Sequence, residues 1–90
     1  QQRSYSAAID QFRRVLDQGP NSVAAFNLGL THLADGDAQH GEALYAEAVK
    51  QYGAGEARRI GAVEDLRQLV GRGGHPAAAK VLVTYWPELE

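Results

Sequence analysis

The sequence predicts an all-α domain. Apolar residues recur at helical rather than alternating spacing, breaks bearing Gly or Pro divide the chain into short segments, and the loops between them are brief. Short loops join neighbours that pack antiparallel. With 90 residues, 44% of them hydrophobic and 22% charged, the chain has the length of one domain and the composition of a folded one. It is read as a single domain over residues 1–90, with about five helices.

The first segment sets Tyr5, Ala8, Ile9, Phe12, Val15 and Leu16 along one stripe, which fits a helix over 4–18. On its other face, Asp10 with Arg14 and Arg13 with Asp17 stand four apart, the spacing of weak surface ion pairs. Gly19, Pro20, Asn21 and Ser22 end it: Pro cannot continue the ladder, and Ser22 is placed to cap the next helix. From Val23 to Ala34 there are two stripes, Val23, Phe26, Leu30 and Leu33 on one side and Ala25, Leu28 and His32 on another, so this helix is expected between neighbours. Asp35-Gly36-Asp37 breaks it, with Asp37 as cap of a third helix carrying Leu44, Tyr45, Ala48, Val49 and Tyr52, which Gly53-Ala54-Gly55 ends. A fourth helix is predicted from Glu56 to Val70 on Ile60, Val63, Leu66, Leu69 and Val70. The stretch from Gly71 to His75 stops it, and Pro76 opens a fifth with Ala78, Val81, Leu82 and Tyr85.

Charge excludes several partners. The formal net charge is −2, with 9 basic and 11 acidic residues interspersed, which offers nothing to a phosphate backbone or an anionic lipid surface. No nucleic acid and no membrane are expected: no apolar run approaches the roughly 18 residues a span requires. The chain has no Cys, which fits any compartment, with the cytoplasm favoured. A start at Gln1 rather than Met is read as a fragment of a longer chain.

The sequence also matches itself. A shift of 33 residues lays Ala8 on Gly41, Phe12 on Tyr45, Val15 on Ala48 and Leu16 on Val49. Through Leu28-Gly29, then Tyr45 and Ala48, with Ala8, Phe12 and Pro20 as a preceding half unit, the chain resembles the tetratricopeptide repeat family. That family's unit is an antiparallel helix pair, and the resemblance implies a short right-handed α-solenoid: helix 4–18, a repeat over 22–52, and a degenerate C-terminal repeat or cap over 55–87. It departs from the family at Ala25, His32 and Gly41, where a large aromatic, a Tyr and an Ala are usual. Gly29 and Gly41 fall where the paired helices approach most closely. Aligning Ile60-Gly61 with Leu28-Gly29 gives one register for the C-terminal part, and counting back from Gly73 gives another.

The resemblance implies a non-catalytic protein-protein interaction module that holds a peptide or helix of a partner protein on its concave face. The family's concave positions fall on Phe26, Asn27, Leu30 and Ala34 of the second helix and on Arg58, Arg59 and Ala62 of the fourth. Some members grip a C-terminal carboxylate with Asn and basic side chains, which singles out Asn27 and Arg59. The alternative is a self-assembly or regulatory element of a larger protein or enzyme.

Enzyme chemistry finds no motif. His32, His40 and His75 lack any His-Glu-x-x-His or paired-Cys spacing, so no metal is expected and His32 is read as core. Ser4, Ser6, Ser22, Thr31 and Thr84 sit in no nucleophile-elbow context. Asp35-Gly36-Asp37 lacks the later ligands of a calcium loop, and the Gly71–Gly74 stretch follows no strand and completes no phosphate loop. Glu64 and Asp65 point about 100 degrees apart on a helix and form no dyad. No catalytic residue and no cofactor are expected. Trp86 and Tyr85 are read as a cap on the last interface, the other role for them being an exposed patch for self-association.

Overall fold

Helix ends fall where the backbone finds local partners. The computed structural model describes residues 2–89; Gln1 and Glu90, the ends of the domain range, lie outside it. The order is α1 (Gln2–Asp17), α2 (Ser22–Ala34), α3 (Ala38–Tyr52), α4 (Ala54–Arg59), α5 (Ala62–Arg72), α6 (Pro76–Tyr85) and a 3-10 turn at Pro87–Leu89. Among the described residues there is no strand. Asn21 rather than Ser22 caps α2: its side chain accepts the Ala24 N–H at 3.0 Å. This frees the Ser22 hydroxyl to donate to Glu56 Oε2 at 2.8 Å, tying the start of α2 to α4. Asp37 caps α3 by accepting the His40 N–H at 3.2 Å.

Six helices replace the expected five because the predicted Glu56–Val70 helix is two. Gly61 has φ of +84°, a left-handed conformation that ends α4 and turns the chain into α5. The register that paired Ile60-Gly61 with Leu28-Gly29 is therefore overturned: Gly29 lies inside a helix and Gly61 between two.

Helix α2 is the hub, with α1 and α3 packed along it and α5 beside it; α3 in turn packs on α6, and α5 on α6. Two glycines let α2 and α3 meet closely, as the repeat predicted. A Cβ on Gly29 would stand 3.0 Å from Tyr45 Cδ2, and one on Gly41 would collide with the Leu33 side chain, 2.6 Å from Cγ. The largest fully buried side chains are Trp86, Tyr45, Phe26 and Leu66. Phe26 lies 6.1 Å from Tyr45 between ring centroids, and Tyr45 meets Trp86 edge-on at 6.5 Å. Trp86, read with Tyr85 as a cap on the last interface, is completely buried and so is no exposed patch, and its indole N–H donates to the Ala54 carbonyl at 3.0 Å. It joins the C-terminal segment to the start of α4. The radius of gyration is 12.0 Å, matching the about 12 Å of a compact domain this long, so the shape shows no superhelical extension.

Candidate functional site

Because α1 and α5 both flank α2, a trough remains between them over part of the α2 surface. Leu30, Thr31 and Ala34 of α2, Tyr5 of α1, and Asp65, Gln68, Leu69 and Arg72 of α5 line it, enclosing about 240 Å³. Spacing explains the α5 wall: Asp65, Gln68, Leu69 and Arg72 fall at i, i+3, i+4 and i+7, one face of a helix. Leu69 is buried and Leu30, Ala34, Thr31 and Tyr5 are half-buried, so the floor is mainly apolar. Asp65, Gln68 and Arg72 are exposed and make a rim with one acid, one amide and one base. The volume lies below the roughly 300–1,000 Å³ of typical small-molecule sites and suits one or two inserted side chains.

The structure divides the seven residues expected on the concave face. Leu30 and Ala34 lie in the trough. Phe26 and Ala62 are buried, 1% and 6% exposed, and belong to the core rather than to a surface. Phe26 turns inward because α3 supplies Tyr45 and Tyr52 against it. Asn27 is half-buried, and its carbonyl accepts the Thr31 hydroxyl at 2.7 Å.

Arg58 and Arg59 lie on α4, do not line the trough, and each meets an acid. Arg58 pairs with Glu88 at 3.2 Å. Arg59 donates through Nε and Nη2 to the two oxygens of Glu56, each at 2.8 Å, a bidentate fork that takes up one of the two edges with which a guanidinium can grip a carboxylate. The Arg59 hydrogen bonds, and after them the Ser22 hydroxyl, hold the Glu56 carboxyl down to about 2. Neither Asn27 nor Arg59 lines the trough.

Six residues that line the trough were not among the expected site residues: Tyr5, Thr31, Asp65, Gln68, Leu69 and Arg72. For the α5 residues the signal was the mixed stripe through Asp65, Gln68, Leu69 and Arg72, which the helix expected to end at Val70 cuts short.

A second gathering of polar groups lies at the turn between α2 and α3. His32, in the last turn of α2, is buried with 6% of its surface exposed, and neither ring nitrogen has a hydrogen-bond partner among the described residues. Its Nδ1 stands 3.5 Å from Asp37 Oδ2, and His40 Nδ1 stands 2.7 Å from the same oxygen. The two rings lie 5.4 Å apart. The His40 backbone N–H and then its ring hold the Asp37 carboxyl below the ordinary carboxylate range.

Comparison of the chain with protein-family models, with curated proteins and with solved structures returns no match in any of the three.

Proposed function

We propose that this domain is a non-catalytic protein-protein interaction module of the tetratricopeptide type, which holds a short peptide or helix of a partner protein in the trough between α1, α2 and α5. One observation carries the reading: an apolar floor of Leu30, Ala34 and Leu69 opens to solvent beneath a polar rim. Apolar concavities of this kind serve helix-in-groove and extended-peptide recognition, where an anchoring side chain supplies affinity and rim groups fix direction. The pairwise packing of α2 with α3 and of α5 with α6, with α2 beside α5 and α3 beside α6, supports a solenoid of helix pairs. Two helix pairs, with α1 beside them and α4 between them, are too few for the elongation that longer arrays develop.

The test is selection of peptides from a random library on the wild-type chain, followed by titration against Leu30→Glu. A carboxylate on the trough floor would be desolvated by any bound apolar anchor, so binding should fall by more than about tenfold, equivalent to about 1.4 kcal/mol. Selected peptides that bind Leu30→Glu as well as wild type, with the variant's melt unchanged, would place recognition elsewhere.

A further inference from the structure

The turn between α2 and α3 places two imidazoles and a carboxylate together in a chain whose histidine spacing matches no metal motif. We propose that His32, Asp37 and His40 bind a divalent first-row transition ion, Zn2+ foremost, which clips the end of α2 to the start of α3. Their ligand atoms all lie within 4.8 Å of one another. Around a tetrahedral zinc with ligand bonds of about 2.0–2.1 Å, neighbouring donors stand about 3.3 Å apart, so side-chain movements of roughly an ångström or less bring the three onto one ion. Two neutral imidazoles with one carboxylate suit zinc and its neighbours rather than calcium or magnesium, which prefer oxygen alone. A water completes the fourth position.

Burial strengthens the case beyond the cluster itself. His32 is only 6% exposed, and among the described residues neither ring nitrogen has a hydrogen-bond partner. A buried polar atom left unpaired costs free energy, and an ion accepting one of those lone pairs removes part of that cost. Asp37 divides its oxygens: Oδ1 accepts the His40 N–H and fixes the start of α3, while Oδ2 faces both imidazoles. The carboxylate is thereby oriented by the helix cap, as outer hydrogen bonds orient ligands in metal sites. His40, whose side chain is 66% exposed, can carry its ring proton on Nε2 toward solvent and present Nδ1 to the ion.

A clip at this point has a physical use. The domain has no disulfide, and small domains gain stability from a structural metal. Coordination would fasten together the helices whose glycine contacts define the hairpin.

Zinc titrated into the chain, freed of any polyhistidine tag and of bound metal, should bind one ion per chain by calorimetry. The ring nitrogen resonances of His32 and His40 should shift together. His40→Ala and Asp37→Asn should each weaken binding by at least about 100-fold, the upper end of what losing an outer-shell partner costs. Both variants remain foldable, because His40 is exposed and Asn caps a helix as well as Asp. His75→Ala should bind zinc like wild type. Absence of saturable uptake by the wild-type chain, or affinity unchanged in His40→Ala, would overturn the proposal.

Discussion

Leu28-Gly29 in α2 and Ile60-Gly61 between α4 and α5 look alike in the sequence, a large aliphatic residue followed by glycine inside a helical pattern. The chain uses them in opposite ways. Gly29 keeps helical geometry and yields its missing side chain to Tyr45, whose ring carbons would stand 3.0 and 3.1 Å from a Cβ there. Gly61 faces open space, with nothing within 4 Å of a Cβ, and is needed for its positive φ. The first glycine serves packing between helices and the second serves the backbone of one. What separates them is the partner across the gap: α3 presents Tyr45 to Gly29, while no element faces Gly61.

The hairpin half of this contrast breaks most severely at Gly41, the counterpart of Gly29 on the facing helix. Gly41→Leu drives its side chain into Leu33 and against the Leu33 backbone nitrogen, 3.2 Å from a Cβ, and backbone cannot yield as a flexible side chain does. The expected loss is about 3 kcal/mol, the upper end of overpacking costs. At roughly 4–8 °C per kcal/mol for a domain of this size, the melting temperature should fall by more than about 10 °C. An unchanged melt would mean that the α2–α3 contact is not close.

Gly61 sharpens the contrast through the sign of a smaller effect. Were the fourth helix continuous, as its periodicity predicts, Gly61→Ala would stabilise the domain by about 1 kcal/mol through helix propensity. With φ at +84° it should instead destabilise by about 1–2 kcal/mol, the cost of holding a Cβ in left-handed backbone. Gly61→Asn should lose less, since Asn tolerates that region. Chemical denaturation of the three chains reads the sign directly.

Legibility in the sequence followed the same divide. The spans of α1, α2, α3 and α6 were readable because each stripe is long, each break contains Gly or Pro, and Asp37 and Pro76 announce helix starts locally. The α4–α5 break was not, because Ile60 and Val63 keep helical spacing straight across Gly61 and only the sign of a dihedral marks the interruption. The candidate site fared similarly. Leu30 lies on an apolar stripe of α2 and Ala34 came only with the concave positions that the resemblance implies, whereas Phe26 shares the Leu30 stripe and is drawn inward by the α3 aromatics. Arg58 carries no mark of its acidic partner, which lies 30 residues away, whereas Glu56 stands at the i,i+3 spacing from Arg59 that a helix turns into an ion pair. His32 and His40 are separated in sequence by a turn whose tightness alone brings their rings to 5.4 Å.

The mildest test concerns what secures the short helix α4 to the hairpin it adjoins. Glu56 accepts from Arg59 within α4 and from Ser22 at the start of α2, so one carboxylate spans the two regions. Its folded value lies at about 2, below the ordinary 4.5, so the unfolded chain binds the proton more tightly. The contribution is complete above about pH 4.5 and disappears as pH falls toward 2. Solvent screening keeps it small, in the class of exposed ion pairs. Glu56→Gln should therefore be slightly less stable than wild type at neutral pH, and the two denaturation midpoints should converge on acidification through that window. Ser22→Ala should show part of the same convergence, since it removes the bond to α2 and keeps the fork within α4. Midpoints that stay parallel would mean that Glu56 holds nothing across the boundary, leaving the buried Ala57 and the Trp86 indole's bond to Ala54 to fasten α4 to the rest.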